Sequence, residues 1–171
     1  ITLYVIPERS TVFANFRTGN IDYYDGMEGE EARMAQQEFP DKAVIQSGPG
    51  YTFGSVTFNT TQGPWTDIRL RKAASLAIDR NAALQVLLQG HGVIGGSMPP
   101  GPWALPQADL AAIAGYAGER EANLAEAKQL MTEAGFPDGF KTQLLTKKTG
   151  THEARAVFVK DQLLGIGVDA Q

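Results

Sequence analysis

Two histidines, one glycine-rich hexad, one serine after a glycine pair and two neighbouring aspartates are the groups here that catalysis or metal binding would draw on. His91 and His152 are the only imidazoles. His152-Glu153 opens a zinc-protease motif, but Ala156 stands where the second His belongs. Both histidines read as solvated loop and helix-edge side chains. Gly90-His-Gly92-Val-Ile-Gly95 spells G-x-G-x-x-G, yet that fingerprint holds a dinucleotide only between a strand and a helix; here a helix precedes and a proline-rich loop follows. Ser97 precedes Met98-Pro99, so a nucleophile elbow lacks its small residue on the C-terminal side. Asp22 and Asp25 flank a turn without an acid–base partner. Asn59-Thr-Thr61 fits a glycosylation sequon and, more simply, an Asn that ends a strand. Arg69, Arg71 and Lys72 gather near a helix start, where an anion could bind, but Asp67 and Arg71 at i and i+4 read as an exposed ion pair. No catalytic or metal-ligating constellation results, and nothing asks for a cofactor. The aromatics are more suggestive. Tyr51, Phe53, Trp65 and Trp103 sit near Gly or Pro, as expected where a concave surface takes an organic ligand, although core packing is the commoner use of such rings.

The elements that would position these residues belong to a chain of 171 residues with 15 Lys+Arg, 19 Asp+Glu, net charge −4 and 43% hydrophobic residues. That suffices for one core, or one domain plus part of another. Basic residues are scattered, which removes the electrostatic footprint of nucleic-acid or anionic-membrane binding. Zero Cys excludes a disulfide framework without fixing a compartment. No window approaches the roughly 18 apolar residues of a membrane span. Ile1 in place of Met, within an apolar strand-like run, reads as a mature fragment or excised segment.

β-branched and aromatic runs predict strands over residues 1–6, 21–24, 42–46, 51–59 and 140–145. Helices are predicted over 11–18, 28–38, 68–78, 80–89, 108–113, 120–134 and 152–164, several closed by Gly. Ser10, either Thr66 or Asp67, and Asp79 are the expected caps. Ser47-Gly-Pro-Gly50 is the domain boundary. Residues 90–106 form a Gly/Pro loop of unusual length, a kind that more often carries function than mere connection. The last residues read as a helix stop and a strand just beginning, so a domain is not expected to end there.

Phe58-Asn-Thr-Thr-Gln-Gly-Pro-Trp-Thr-Asp-Ile-Arg-Leu-Arg-Lys-Ala-Ala-Ser-Leu-Ala-Ile-Asp-Arg80 closely resembles the signature region of family 5 extracellular solute-binding proteins, the peptide- and nickel-binding receptors of ABC importers. The resemblance continues through Met98-Pro-Pro-Gly101 and Glu126-Ala-Lys-Gln-Leu-Met-Thr-Glu-Ala-Gly-Phe-Pro-Asp-Gly-Phe140. It extends to the helix and strand that end in Gly165-Ile-Gly-Val-Asp169, and Phe16-Arg-Thr-Gly-Asn-Ile-Asp22 is similar to a further family segment.

That resemblance implies an α/β fold, part of a two-lobed, type II-like periplasmic binding protein with mixed sheets flanked by helices. Residues 1–47 would be the tail of one lobe, 48–50 a hinge-like crossing, and 51–171 the incomplete N-terminal part of the other. Tyr51 and Phe53 would approach the ligand cleft and Trp103 its mouth, while Asn59, Asp67, Arg71 and Asp79 would be structural. The implied protein is a non-catalytic receptor in the periplasm or outside the cell, with a lipid anchor possible at full length. It takes a peptide or similar small solute and delivers it to ABC importer membrane subunits, without nucleic acid or membrane insertion. The rival expectations are an isolated lobe that self-associates and, less favoured, an enzyme using residues outside this segment.

Overall fold

In the computed structural model, which describes residues 1–48 and 53–171, the chain divides into Ile1–Gly48 and Pro49–Gln171. The first unit holds α1 (Arg9–Arg17) and α2 (Gly29–Glu38). Glu8 stands before α1 in place of the predicted Ser10, which lies inside the helix. A capping box opens α2, with Glu28 and Glu31 each satisfying the other's backbone N–H. Apolar burial here is thin, centred on Phe13 and Ala35, so polar contacts carry much of the order. The Glu31 carboxylate is their hub: Arg9 Nη2 donates to it at 3.0 Å, the Tyr24 hydroxyl at 3.0 Å and the Glu28 N–H at 3.1 Å.

That hub makes the first unit sensitive to pH at both extremes. Partial burial and the bond donated to Glu31 push the Tyr24 phenol up to about 12, from an ordinary 10.0. An unfolded chain gives up this proton first, so Tyr24's contribution is full below the ordinary value and lost as pH climbs toward 12. Glu31 acts in the opposite sense. Desolvation works against its charged form, but the Glu28 N–H, Arg9 and the Tyr24 hydroxyl outweigh it and hold the carboxyl below its usual range. Its contribution is present above the unfolded value of about 4.3 and lost as pH falls through the folded one. An ultraviolet phenolate titration should therefore show one late-ionising tyrosine that Tyr24→Phe removes, and Glu31→Gln should flatten the acid limb of stability against pH. Loss of an ordinary phenol step in Tyr24→Phe, with the late step still present, would refute the hub.

The second unit runs from a 3-10 turn, Pro64–Thr66, through α3 (Ile68–Ala77), α4 (Arg80–Leu88), α5 (Gln107–Ala111), α6 (Arg120–Glu133), β1 (Phe140–Thr142), α7 (Gly150–Leu164) and β2 (Val168–Ala170). Helices α3 and α6 form its centre. Ala73, Ala74, Ala77 and Ala127 are fully buried and let the helix backbones approach, while Leu70 and Met131 fill the space beside them. The buried face of α3 is Leu70, Ala73, Ala74, Leu76 and Ala77, while Ile68 is exposed. On α7 Leu163 is buried and Leu164 exposed. Strands β1 and β2 pair in parallel, Phe140 opposite Val168 and Thr142 opposite Ala170, with α7 as the crossover that parallel pairing requires. This two-stranded sheet is the only one among the described residues.

The predicted strands at 1–6, 21–24 and 42–46 and the described part of 51–59 are not strands here. Strand preference expresses packing beside a neighbouring strand, and among the described residues these runs have no ladder partner. Their two-residue periodicity still shows in the second unit. Val56 and Phe58 are half-buried, whereas Phe53, Ser55 and Thr57 are exposed.

Candidate functional site

Residues 90–106 connect α4 to α5 and are pinned at one place. The Tyr116 hydroxyl donates to Gly95 O at 3.1 Å, Gln107 Nε2 donates to Ile94 O at 3.1 Å, and Gly96 lies against Leu110. Past that anchorage the loop projects outward. A turn closed by Ala104 N–H to Gly101 O, 3.1 Å, carries Trp103 with 86% of its surface exposed. Such exposure of the largest apolar side chain leaves it available to a ligand.

Phe53 is 52% exposed, on the outward side of residues 53–59. Its neighbour Gly54 faces the Arg155 guanidinium of α7. No aromatic pair includes Phe53 or Trp103 among the described residues, so the structure gives each a separate position. Tyr51 lies outside the described residues. Trp65, grouped with these aromatics by sequence, is a core residue. It packs on Phe58 and Phe140 at 4.6 and 5.1 Å between ring centroids and donates its Nε1–H to Thr142 Oγ1 at 3.1 Å.

The four motif residues have local duties. Asn59 Oδ1 accepts from the N–H and hydroxyl of Thr61, at 3.0 and 2.8 Å, closing an Asx turn. Asp67 caps α3 by accepting from Arg69 N–H at 2.8 Å, and Asp79 caps α4 by accepting from Ala82 N–H at 2.9 Å. The expected Asp67–Arg71 ion pair is replaced. Arg69 takes the carboxylate at 2.6 Å, and Arg71 Nη1 donates to the carbonyls of Trp65 and Thr66 at 2.7 and 3.0 Å. The hydrogen bond from Arg69, foremost among the causes, holds the Asp67 carboxyl below its usual range. Thr149 Oγ1 meets His152 Nδ1 at 2.8 Å at the start of α7, and no metal-ligating cluster occurs among the described residues.

Sequence reasoning missed two arginines that tie the helix ends together. Arg80 reaches Ser75, Gly115 and the Tyr116 ring. Arg120 Nη1 donates to Ala77 O at 2.5 Å and Nη2 to Gln162 Oε1 at 3.1 Å, and that same oxygen accepts Asp79 N–H at 3.1 Å. A cation at the first residue of a helix opposes the helix dipole, and Arg80 directly after the cap Asp79 was the available signal. A groove of ≈ 740 Å³, open to solvent, runs between α3, the start of α6 and residues 111–118, with Arg71, Lys72, Ser75, Asn123 and Glu126 as its polar lining. Neither Phe53 nor Trp103 lines it.

Residues 1–171 match the family described as bacterial extracellular solute-binding proteins, family 5 Middle. The sequence is 27% identical over 143 residues to heme-binding protein A of Haemophilus influenzae, covering 83% of this chain and 24% of that protein. It is 24% identical over 172 residues to glutathione-binding protein GsiB of Pectobacterium atrosepticum, covering 100% and 32%. The periplasmic binding protein DppA of Helicobacter pylori, solved with peptide STSA, superposes with TM-score 0.77 at 27% identity over 97% of this chain and 30% of DppA. The chain belongs to the family 5 extracellular solute-binding proteins. Its α/β fold corresponds to part of the two-lobed periplasmic-binding-protein fold, and it spans about a quarter to a third of the length of these relatives.

Proposed function

We propose that this chain is part of a non-catalytic, extracytoplasmic receptor that captures a peptide or similar small solute and hands it to an ABC importer. In this reading residues 1–47 are the tail of one lobe, 48–50 the crossing, and 51–171 the opening part of the second lobe, with solute enclosed between lobes. The observation that carries it is family membership along the whole chain, joined to a likeness to a receptor solved with a peptide. Heme-, glutathione- and peptide-binding relatives share one scaffold, so the ligand class rests on side chains that reach the cleft. Tyr51, Phe53 and Trp103 are the aromatic candidates. Ile1, Leu3, Tyr4 and Val5 are all exposed, in keeping with an apolar run that further parts of a longer receptor cover. No helix among the described residues is long and apolar enough to cross a membrane.

Thermal unfolding of the protein against pools of di- to tetrapeptides tests the reading. A ligand that binds only the folded state stabilises it by about 2.7 kcal/mol at a hundredfold excess over Kd. Trp103 is exposed enough that Trp103→Ala should leave unliganded stability within about 0.5 kcal/mol. The same change should weaken peptide binding about tenfold if the ring covers the ligand. Peptide pools without effect, alongside stabilisation by heme, would overturn the peptide assignment.

A further inference from the structure

The loop of residues 90–106 is unusual in composition, and the Tyr116 side chain that bonds it at Gly95 is itself held by Arg80, one of the most highly connected side chains of the second unit. Arg80 Nη1 donates to Ser75 O at 2.9 Å and to Gly115 O at 2.7 Å, while Nη2 donates to Ser75 Oγ at 2.9 Å. The guanidinium lies over the Tyr116 ring, 4.0 Å from its centroid. Ser75 in turn donates its hydroxyl to Ala114 O at 2.6 Å. Residues 114–116 are thereby drawn onto the α3–α4 corner, and the Tyr116 hydroxyl reaches across to Gly95 O. Arg80 is the first residue of α4, where a cation is disfavoured by the helix dipole. Its carbonyl partners and the aromatic face offset that cost.

We propose that Arg80 and Tyr116 form a clamp that fixes the loop at Gly95, making Arg80 a positioning residue for Trp103. Gly95 is eight residues from Trp103, and Pro99, Pro100 and Pro102 lie between them. Each proline fixes its own φ and restricts the residue before it, so backbone freedom between Gly95 and Trp103 is confined to residues 96–98 and Gly101, and a displacement at Gly95 is passed on in part. Guanidinium shape matters as well as charge. A lysine at position 80 could keep the cation over the ring but could not donate to Ser75 and Gly115 through a planar fork.

The clamp's bearing on ligand rests on the receptor reading above, but its test uses no ligand. Because the chain has no Cys, Ser97→Cys and Lys128→Cys give two unique nitroxide sites, one in the loop and one on α6. In the parent protein the distance distribution between them should be narrow. Tyr116→Phe keeps the ring under Arg80 and removes only the bond to Gly95, so it should broaden the distribution without loss of fold. Chymotrypsin cleavage at Trp103 should rise about two- to tenfold in that variant, the equilibrium equivalent of one neutral hydrogen bond. Arg80→Lys should act in the same direction. Distributions and cleavage rates equal to the parent in Tyr116→Phe would overturn the clamp, as would an Arg80→Lys protein whose distribution and Trp103 cleavage match the parent's.

Discussion

Trp65→Ala is expected to destabilise the second unit by about 3–5 kcal/mol, the usual cost of removing a buried aromatic. The side chain is 9% exposed and stands at a three-way junction. Its ring joins residues 53–59 through Phe58 to β1 through Phe140, and Phe140 continues the cluster to Phe136 at 5.0 Å. Its indole N–H satisfies Thr142 Oγ1 at the end of β1, and its carbonyl is held by Arg71. Truncation thus opens a cavity between a helix start, a strand and an extended segment, none of which can collapse far without breaking its own bonds. Trp65→Phe keeps most of the apolar volume and loses the indole bond, so its cost should be smaller. Guanidinium unfolding followed by far-UV circular dichroism separates the two. The competing assignment for Trp65, a ring that faces ligand, makes the opposite forecast: unchanged stability with weakened solute binding. That outcome would return Trp65 to the set containing Phe53 and Trp103.

The contrast between Trp65 and Trp103 shows where reading a sequence stops. Both tryptophans lie beside proline in loop-like stretches, and nothing local separates them. One is buried because Phe58 and, from far along the chain, Phe140 close over it; the other is exposed because its loop leaves it uncovered. Helix ends were legible because their causes are local: Asp67 and Asp79 cap the helices they precede, and Gly135 stops α6 two residues after Glu133. Strands were less so, since a run such as residues 1–6 carries the propensity but not the partner. Ion pairs failed for a further reason. Asp67 has cations two and four residues away, and the N-cap conformation turns its carboxylate toward the nearer Arg69. Family resemblance supplied the fold directly, because the run from Phe58 to Arg80 carries two caps and the arginine that gathers the α3–α4 corner. None of the proposed ligand-facing aromatics, Tyr51, Phe53 and Trp103, falls in that run, so the segment that reveals the family is not the one that would name the solute.

Gly139→Ala should cost the second unit about 2–5 kcal/mol, from about 1–2 for a left-handed backbone and about 1–3 for overpacking. Gly139 has φ +81°, and a methyl group there would stand 1.9 Å from Gly167 O and 2.4 Å from Gly167 C. Both are backbone atoms, so no rotamer change relieves the overlap. Gly167 O is also the acceptor for Phe140 N–H at 3.2 Å, beside the first pairing of β1 with β2. Relief must therefore separate the strands at the point where their parallel register begins, and Val168, fully buried beside it, would move with them. Gly135 supplies the control. It is similarly left-handed, φ +88°, with nothing within 4 Å of an added methyl, so Gly135→Ala should cost only the backbone part, about 1–2 kcal/mol. Paired denaturant unfolding of the two variants measures the difference directly. Equal costs would mean that the strands separate freely at Gly139 and that the βαβ crossover does not depend on contact between these two glycines. A larger cost at Gly139 would place the start of the sheet at a backbone contact that admits no side chain.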